Sequence, residues 1–328
     1  MTRAPETAKI DRTEIRIRGI SLQVPSVHID GRTVITEGKW LKTAIIHDEE
    51  LVEGESVANP ESFLSQLKSL RLSADIFTFA QKLPDTAPKH GYFVEYDNFA
   101  VIPITTYEEW FKKQIESSVQ RAIRKAAKSG ITIRCVEFDD DFLNGIVSIN
   151  NETPMRQGKA FWHYQKSADA VKHEHLTYPE RNVFLGAYLE GELIGYVRMV
   201  YVDKVASILQ LLTMVKHYDK RPANALIAKA VEVCEQSGMN YLMYCNYVYK
   251  DPESSLTEFK RRTGFEQALL PRYFVPLTLK GKIALRLGIH RGLIHRIPQS
   301  MITRLLKVRS FWNARKTLSW KTVSKKPS

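Results

Sequence analysis

Apolar and polar positions alternate along the first hundred residues in short runs that predict a small α/β unit. Asp30-Gly31 lies between two of these runs and is typical of a tight β-hairpin. Asn59-Pro60 predicts a helix start, because asparagine at the N-cap and proline at the first helical position both favour initiation. The unit therefore has three strands, one helix and two strands, with the strands at residues 27–29, 32–34, 41–46, 76–79 and 92–102.

A longer periodicity predicts one continuous helix over residues 107–129. Its apolar positions form a single stripe, and Gly130 follows where a helix commonly ends. The other face is basic, because four cations fall at i, i+3, i+4 and i+7 with no acid among them: Arg121, Arg124, Lys125 and Lys128. This face is either a solvated surface that complements the helix dipole or a surface that meets phosphates.

From residue 131 a second unit begins, with a longer order of elements. A strand and two helices precede three strands with short connections, which predicts antiparallel neighbours. The stretch DKRPANAL, residues 219–226, then opens an apolar helix that stops at Gly238. The order β-α-α-β-β-β-α-β-α-β-β ends with a strand, a helix and a hairpin, placed at residues 241–247, at 255–262, and at Phe265 with 272–276.

Positive charge is concentrated at the C-terminal end. The 328 residues carry a formal net charge of +12, yet 14 of the 48 Lys and Arg residues and no acid follow Glu266, so residues 1–266 sum to −2. Cations alternate with apolar residues over 280–328, which predicts a basic helical tail suited to an anionic membrane surface. A contact with nucleic acid or glycan phosphate and a plain solvated helix face are the alternatives.

Cysteine usage and hydropathy indicate the compartment. Cys135, Cys234 and Cys245 are odd in number and widely spaced, as is typical of free thiols in a reducing environment. The sequence has neither the apolar core of a secretion signal nor an uncharged run long enough to span a bilayer. We expect a cytoplasmic protein, peripheral on the inner face of the membrane if residues 280–328 rest on lipid.

The element order and three motifs make the chain similar to GNAT N-acyltransferases, in their Fem-type, tandem-GNAT branch. The resemblance implies an α/β (α+β) fold of two GNAT-like halves, with mixed, mostly antiparallel sheets flanked by helices, and it covers most of residues 20–277. It implies a degenerate N-terminal half (1–105), a linking helix with the acyltransferase half (106–279) and the tail (280–328). The motifs are Arg121-Ala122-Ile123-Arg124-Lys125-Ala126 with Lys128 and Gly130, Gly191-Glu192-Leu193-Ile194-Gly195, and Phe259-Lys260 with Gly264-Phe265.

The resemblance implies a donor site for acyl-CoA, acetyl-CoA in particular, at the loop after the fourth strand. The family's pyrophosphate-binding pattern falls on residues 220–225, and helix N–H groups there favour an anion. An ordinary proline-started helix with solvated cations is the alternative. The expected donor-binding residues, the first two acting through backbone N–H groups, are Leu212, Met214, Lys220, Arg221, Ala223, Asn224 and Ala225.

Polar residues beside that site are the candidates for proton transfer, which acyl transfer to an amine requires. They are His217 and Asp219 at the strand end, with Tyr244 and Tyr247 in YCNYVY. His217 is equally compatible with a surface loop, and the tyrosines with strand propensity. On the same segment, we assign Asn246 and Tyr249 to substrate binding.

The stretch TPMRQGKAFWHYQKS, residues 153–167, lies where GNAT folds form the acceptor lid. Aromatic planes beside cations suit a sugar phosphate or a nucleotide-linked sugar. A loop packed on the N-terminal half is the alternative. Lys260, in the matched Phe-Lys motif, either positions substrate or covers its helix. The substrate-binding candidates in the loop are Arg156, Gln157, Trp162, His163, Tyr164 and Lys166.

No metal is expected, because in His173-Glu174-His175 side chains two apart on a helix do not converge. We therefore expect an N-acyltransferase that moves an acyl group from a CoA-type thioester to an amino group of a glycan or lipid-linked cell-envelope precursor. The alternatives are a Fem-like transferase that uses aminoacyl-tRNA and a non-catalytic module that binds membrane or nucleic acid.

Overall fold

One sheet of twelve strands dominates the computed structural model, which describes residues 10–17, 20–156, 158–249 and 253–291. Its spatial order is β1-β2-β3-β4-β5-β14-β6-β13-β12-β11-β10-β7, and β8 and β9 form a separate two-stranded ribbon. The strands are β1 Asp11–Ile17, β2 Ile20–Ile29, β3 Arg32–Glu37, β4 Thr43–Ile46, β5 Ile76–Ala80, β6 Phe93–Pro103, β7 Thr132–Val136, β8 Met155–Arg156, β9 Lys159–Ala160, β10 Asn182–Leu189, β11 Glu192–Val202, β12 Val205–Thr213, β13 Tyr241–Asn246 and β14 Glu266–Pro276.

Helices cover both faces of this sheet. They are α1 Pro60–Ser69, α2 Tyr107–Glu109, α3 Ser117–Lys128, α4 Asp140–Asn151, α5 Ala168–His175, α6 Pro222–Gln236, α7 Ser255–Arg262 and α8 Leu279–Arg286. The expected caps are present: the Asn59 side chain accepts a hydrogen bond from Ser62 N at the start of α1. The predicted fold class, a mixed and mostly antiparallel sheet flanked by helices, is confirmed. Residues 292–328 of the predicted tail, and Gln157, lie outside the described residues.

The two halves repeat one arrangement and then exchange strands. In each, three antiparallel strands are followed by a helix and a strand parallel to the third, as β2-β3-β4-α1-β5 and as β10-β11-β12-α6-β13. The closing strands cross over, because β6 pairs with β13 and β14 lies between β5 and β6. The halves therefore share one sheet, and a surface between them is built from both.

The hairpin predicted from Phe265 with residues 272–276 is wrong, since β14 is one uninterrupted strand. Pro271 suggested a break because it has no N–H. In an antiparallel strand the N–H and C=O of one residue point to the same side, and the Pro271 carbonyl accepts from Gln81 N, just past the end of β5. The missing donor therefore removes no ladder bond to β6, and the strand continues.

The single helix predicted over residues 107–129 is also wrong. A π-helical turn, Trp110–Gln114, follows α2, and Ile115 is extended at φ −99 and ψ 151 before α3 begins. Tertiary contacts explain the break: the buried Trp110 indole donates to Thr263 O, and Glu116 N donates to Arg262 O. Anchoring to α7 outweighs the local helix preference of this segment.

Candidate active site

The sheet opens between β12 and β13, in the C-terminal half. These parallel strands pair only at Val205–Tyr241, Ala206–Leu242 and Ser207–Met243, although β12 runs on to Thr213 and β13 to Asn246. Beyond Ser207, the edge of β12 that faces β13 has no strand partner among the described residues. Backbone N–H and C=O groups in such a gap are available to a ligand.

A tight turn leads from this opening into α6. The turn is a 3₁₀ segment, Val215–Lys220, and Arg221 at φ 65 aims the chain into Pro222 at the first helical position. No side chain caps the helix start. Pro222 has no N–H, and the N–H groups of Asn224 and Ala225 donate to Arg221 O at 3.2 Å and 3.5 Å. The Ala223 N–H and the positive dipole end of α6 therefore remain beside the opening, in an arrangement that favours an anion.

Most of the expected donor-binding residues lie on this turn or next to it. The Met214 N–H donates to Ile194 O at 2.8 Å, and because N–H groups alternate along a strand, the Leu212 N–H also points to β11. The N–H groups of Leu211 and Thr213 point to the opening. Lys220 is half-buried and its ammonium lies 3.8 Å from the Asp219 carboxylate. The small residues Ala223 and Ala225 allow close approach to the helix start.

The end of β12 is held by Glu152, just before the lid, and by Arg156 of the lid. Glu152 accepts from Val215 N at 2.6 Å and Lys216 N at 2.8 Å. Arg156 donates to Thr213 O at 2.9 Å and to Ile149 O at 3.0 Å. Arg156, a substrate-binding candidate, thus clamps the lid to the opening.

The other lid candidates also make contacts within the protein. The Lys166 ammonium lies 3.6 Å over the Trp162 ring and 2.6 Å from Glu174. His163 is buried, and this burial lowers its pKa to about 3, so the imidazole is neutral at physiological pH. Tyr164 is half-buried, and Trp162 remains 54% exposed, which leaves its ring as the accessible aromatic surface of the lid.

A buried polar chain connects α5 to β12 behind the lid. His175 Nδ1 donates to Val171 O at 2.7 Å. Its Nε2 and Gln210 Oε1 lie 3.2 Å and 3.0 Å from the Tyr196 hydroxyl, which has one proton to donate. Burial lowers the His175 pKa to about 4. The chain holds Gln210, on the unpaired part of β12, in one orientation. Among the described residues no group of histidine, cysteine and acidic side chains could hold a metal ion.

Lys260 is fully buried at the end of β13. Its Nζ donates to the carbonyl oxygens of Tyr244 at 2.8 Å and Asn246 at 2.6 Å, and lies 4.5 Å from the Tyr244 ring centre and 5.1 Å from that of Tyr249. Burial lowers the Lys260 pKa to about 8. The ammonium therefore fixes the strand end that borders the opening, which neither of its predicted roles described.

The catalytic candidates differ in their surroundings. Both His217 ring nitrogens are buried without a hydrogen-bond partner in the described part of the chain. Asp219 is exposed. Burial raises the pKa of Tyr244, so this phenol stays protonated at neutral pH. Tyr247 is held through its backbone, whose N–H donates to Asn98 O at 3.0 Å.

A cleft of about 1160 Å³ lies between the two halves and reaches the opening, because Leu209 of β12 and Met243 of β13 are among its walls. The N-terminal half contributes residues within 14–15, 35–37, 45–57 and 79–90, and Phe99. Nine acids and four lysines or arginines line it: Glu14, Glu37, Asp48, Glu49, Glu50, Glu55, Asp85, Glu174 and Asp203, against Lys82, Lys89, Lys204 and Arg272. The excess of carboxylates favours a cationic or amine-bearing occupant.

Glu50 is the most exceptional carboxylate of this cleft. It makes no ion pair with any described residue, whereas Glu49, for example, lies 2.9 Å from Arg272. Glu50 is exposed at the wall of the cleft, and the protein atoms around it, followed by the charge of Asp48, raise its pKa. Burial and, more weakly, the charge of Glu50 raise the pKa of the Cys245 thiol and the Tyr249 phenol, so Glu50 acts electrostatically on the end of β13.

Residues 146–265 match the sequence model of the acetyltransferase (GNAT) family. This segment is a GNAT domain. It contains the opening, the turn into α6, the lid and Lys260, so the prediction of a GNAT-type acyltransferase is confirmed. The match names the reaction type and leaves the acyl donor and the acceptor open.

Solved structures share the fold of the GNAT domain and of the half that precedes it. FemX aligns with a TM-score of 0.54 at 11% identity, over 80% of this chain and 88% of its own. A C-terminal DUF2156 domain from Agrobacterium fabrum, named for a lysylphosphatidylglycerol synthetase, gives 0.51 at 14% identity over 78% and 84%. L-PGS from Bacillus licheniformis gives 0.51 at 13% identity over 78% and 85%. No curated protein sequence matches the chain. These likenesses show the fold alone, and the predicted Fem-like, tandem-GNAT fold is confirmed.

Within the GNAT domain, the predicted residues form three groups: one along the turn into α6, one around Lys260 at the end of β13, and one in the lid. Their roles stay predictions. Sequence reasoning missed Glu152, the chain from His175 to Gln210, and the cleft of the N-terminal half. The acid-rich run DEELVEGE, residues 48–55, was a signal for the cleft wall.

Proposed function

We propose that the protein transfers an acyl group from a CoA-type thioester, acetyl-CoA in particular, to an amino group held in the cleft between the halves. The observation that supports this most is that an anion-favouring turn and an acidic cleft both border the β12–β13 opening. The anion-favouring turn into α6 lies at one side of the β12–β13 opening, and the acidic cleft reaches the opening through Leu209 and Met243.

On the donor side, the diphosphate would contact the Ala223 N–H at the positive dipole end of α6, with Lys220 and Arg221 adding charge. The acyl chain would then enter the opening. The carbonyl oxygen, negative once attacked, would accept hydrogen bonds from the N–H groups of Leu211 or Thr213, on the edge of β12 that faces the opening.

On the acceptor side, the neutral amine attacks the carbonyl carbon. The C–N bond forms, the C–S bond breaks, and a thiolate leaves. Glu50 takes the proton from the attacking amine, because a carboxylate with a raised pKa is a stronger base than an ordinary one. The thiolate receives a proton from a His217 ring nitrogen or from Tyr244. Lys260, which touches no reacting atom, is a positioning residue.

A cleft of about 1160 Å³ exceeds the needs of a small amine and fits an extended acceptor. We therefore propose an amino group on a glycan or on a lipid-linked cell-envelope precursor, with the protein on the cytoplasmic face of the membrane through residues 280–328. In this proposal residues 106–279 perform the transfer and residues 1–105 supply much of the acceptor cleft.

A second candidate, transfer from aminoacyl-tRNA, is favoured by one observation. The four cations of α3 are all exposed, and α3 packs against α6 and the turn that precedes it. A polyanion bound at that turn would extend across them. FemX and the two synthetase structures named above share the fold, which permits this candidate without selecting it.

Calorimetric titration separates these functions. We expect the full chain to bind acetyl-CoA, and Lys220→Gln with Arg221→Asn to weaken binding at least about tenfold, because two charge-assisted contacts are lost. Asparagine tolerates the positive φ of Arg221. Lys112→Gln with Lys113→Gln, a neighbouring exposed pair, is the matched control.

Three outcomes decide the assignment. Weaker acetyl-CoA binding in the Lys220 and Arg221 variant, with unchanged binding in the Lys112 and Lys113 variant, supports the CoA donor. Binding of deacylated tRNA that weakens with Arg124→Gln, in the absence of acetyl-CoA binding, supports the second candidate. If neither acetyl-CoA nor tRNA produces a binding heat, the protein is a non-catalytic module.

A further inference from the structure

Helix α8 presents an apolar stripe to solvent. Leu279, Ile283 and Leu287 follow one another at i, i+4 and i+8 and are 74%, 50% and 53% exposed. The opposite side of the helix is packed, with Ala284 and Leu285 buried against Ile76 of β5. Because α8 is anchored to the core, the stripe has a fixed orientation toward solvent.

Trp40 extends this stripe from a second segment. Its ring is 64% exposed, and the Lys280 ammonium lies 5.0 Å from the ring centre while donating to Trp40 O. A shallow groove lined by Trp40, Leu279, Ile283 and Ile289 joins the two elements. We call Trp40, Leu279, Ile283 and Leu287 the α8 surface. Four large apolar side chains on one patch are unusual for a surface that meets only water.

Cations border the α8 surface. Lys39, Lys282 and Arg286 are exposed and make no ion pair with any described residue. Residues 278–291 contain no acid. Apolar side chains flanked by cations are the composition of helices that lie in the interface of anionic bilayers.

We propose that the α8 surface inserts into the interface of an anionic lipid bilayer, with the indole and aliphatic side chains about 5–10 Å deep and the bordering cations at the lipid phosphates. The inference deepens the membrane contact proposed above by naming a folded surface. It does not depend on the acyl-transfer chemistry. None of the helices within the described residues has the length and hydropathy needed to span a bilayer.

Charge argues against the other occupants of this surface. Residues 292–328 contain nine lysines and arginines and no acid, so covering the α8 surface with this segment would bring like charges together. A second copy of the chain, paired through the same surface, would meet the same cations. Anionic phosphates neutralise them.

Docking through this surface leaves the cleft accessible. Ile76, at the start of β5, packs against α8, whereas Phe79 and Ala80, at its end, line the cleft. The five residues of β5 span about 17 Å at about 3.3 Å per residue. The two features therefore lie at opposite ends of one strand.

Vesicle flotation of the full chain tests the proposal. We expect binding to phosphatidylcholine vesicles that contain phosphatidylglycerol, little binding to phosphatidylcholine alone, and at least about a tenfold lower partition coefficient for Ile283→Gln with Leu287→Gln. Both positions are exposed, so these substitutions leave the core intact. Leu22→Gln with Leu269→Gln, at exposed leucines of β2 and β14, is the matched control.

Fluorescence of Trp40 reports on the surface itself. The difference spectrum between the natural chain and Trp40→Phe should shift to the blue on anionic vesicles only. Equal flotation of the natural chain and the α8 variant would overturn the proposal, even if residues 292–328 bind lipid. A Trp40 emission that is already blue-shifted without vesicles would also overturn it. So would a dimer of the natural chain that is lost in the α8 variant.

Discussion

Replacing Lys260 by methionine measures what a buried ammonium contributes beside the opening. The Lys260 Nζ donates two hydrogen bonds, to the carbonyl oxygens of Tyr244 and Asn246. Bonds from a charged donor contribute about 1.5–3 kcal/mol each, and relief from burying the charge offsets part of their loss. We expect Lys260→Met to lower the free energy of unfolding by about 2 kcal/mol at neutral pH.

The pH dependence of this difference is the sharper test. The Lys260 pKa is about 8 in the folded chain and about 10.4 when unfolded, so between these values the unfolded chain binds more protons. The contribution of Lys260 to the free energy of unfolding therefore rises with pH between these two pKa values and is constant below the lower one. The difference between the natural chain and Lys260→Met should grow above about pH 8, by up to about 1 kcal/mol per pH unit.

Denaturant titrations at several pH values from about 7 to about 10, followed by the fluorescence of the five tryptophans, measure this difference. Lys125→Met, at an exposed lysine of α3, is the control and should stay within about 0.5 kcal/mol of the natural chain. A Lys260→Met chain as stable as the natural one, with a difference that does not change with pH, would refute the assignment of Lys260 as a buried donor.

Two further substitutions test the cleft and the attachment of α8. Glu50→Gln should lower the rate of acyl transfer about 100-fold and abolish the acid limb of the pH–rate profile, while calorimetry shows unchanged acetyl-CoA affinity. Glu37→Gln, at another exposed carboxylate of the same cleft, should change neither the rate nor the profile. An unchanged acid limb in Glu50→Gln would exclude Glu50 as the base. Gly281→Ala should lower the free energy of unfolding by about 2 kcal/mol in denaturant titration, because its Cβ would overlap Asp75 O. The Cβ of Gly91→Ala would meet no atom, so this variant should be as stable as the natural chain. Equal stability of both variants would contradict the packing of α8.

Local sequence signals accounted for most of the secondary structure. Asn59-Pro60 starts α1, Asp30-Gly31 turns β2 into β3, and the apolar stripe of α6 is buried as its periodicity predicted. These features depend on residues within a few positions of one another, so the sequence contains their physical cause. The predictions failed where distant residues intervened: Thr263 holds Trp110 and breaks the linking helix, and β5 and β6 together extend β14 through Pro271.

The sequence by itself determined the order of elements, the basic C-terminal segment and the group of residues at the start of α6, because periodicity, capping and charge are local properties. Tertiary structure alone decided that β6 and β14 exchange partners, that the cleft lies between the halves, and that the Lys260 ammonium is buried at the end of β13. The strand exchange and the cleft depend on pairings across more than one hundred residues, and Lys260 on partners 14 and 16 residues away. No local pattern specifies which strand edges meet or which side chains the meeting buries.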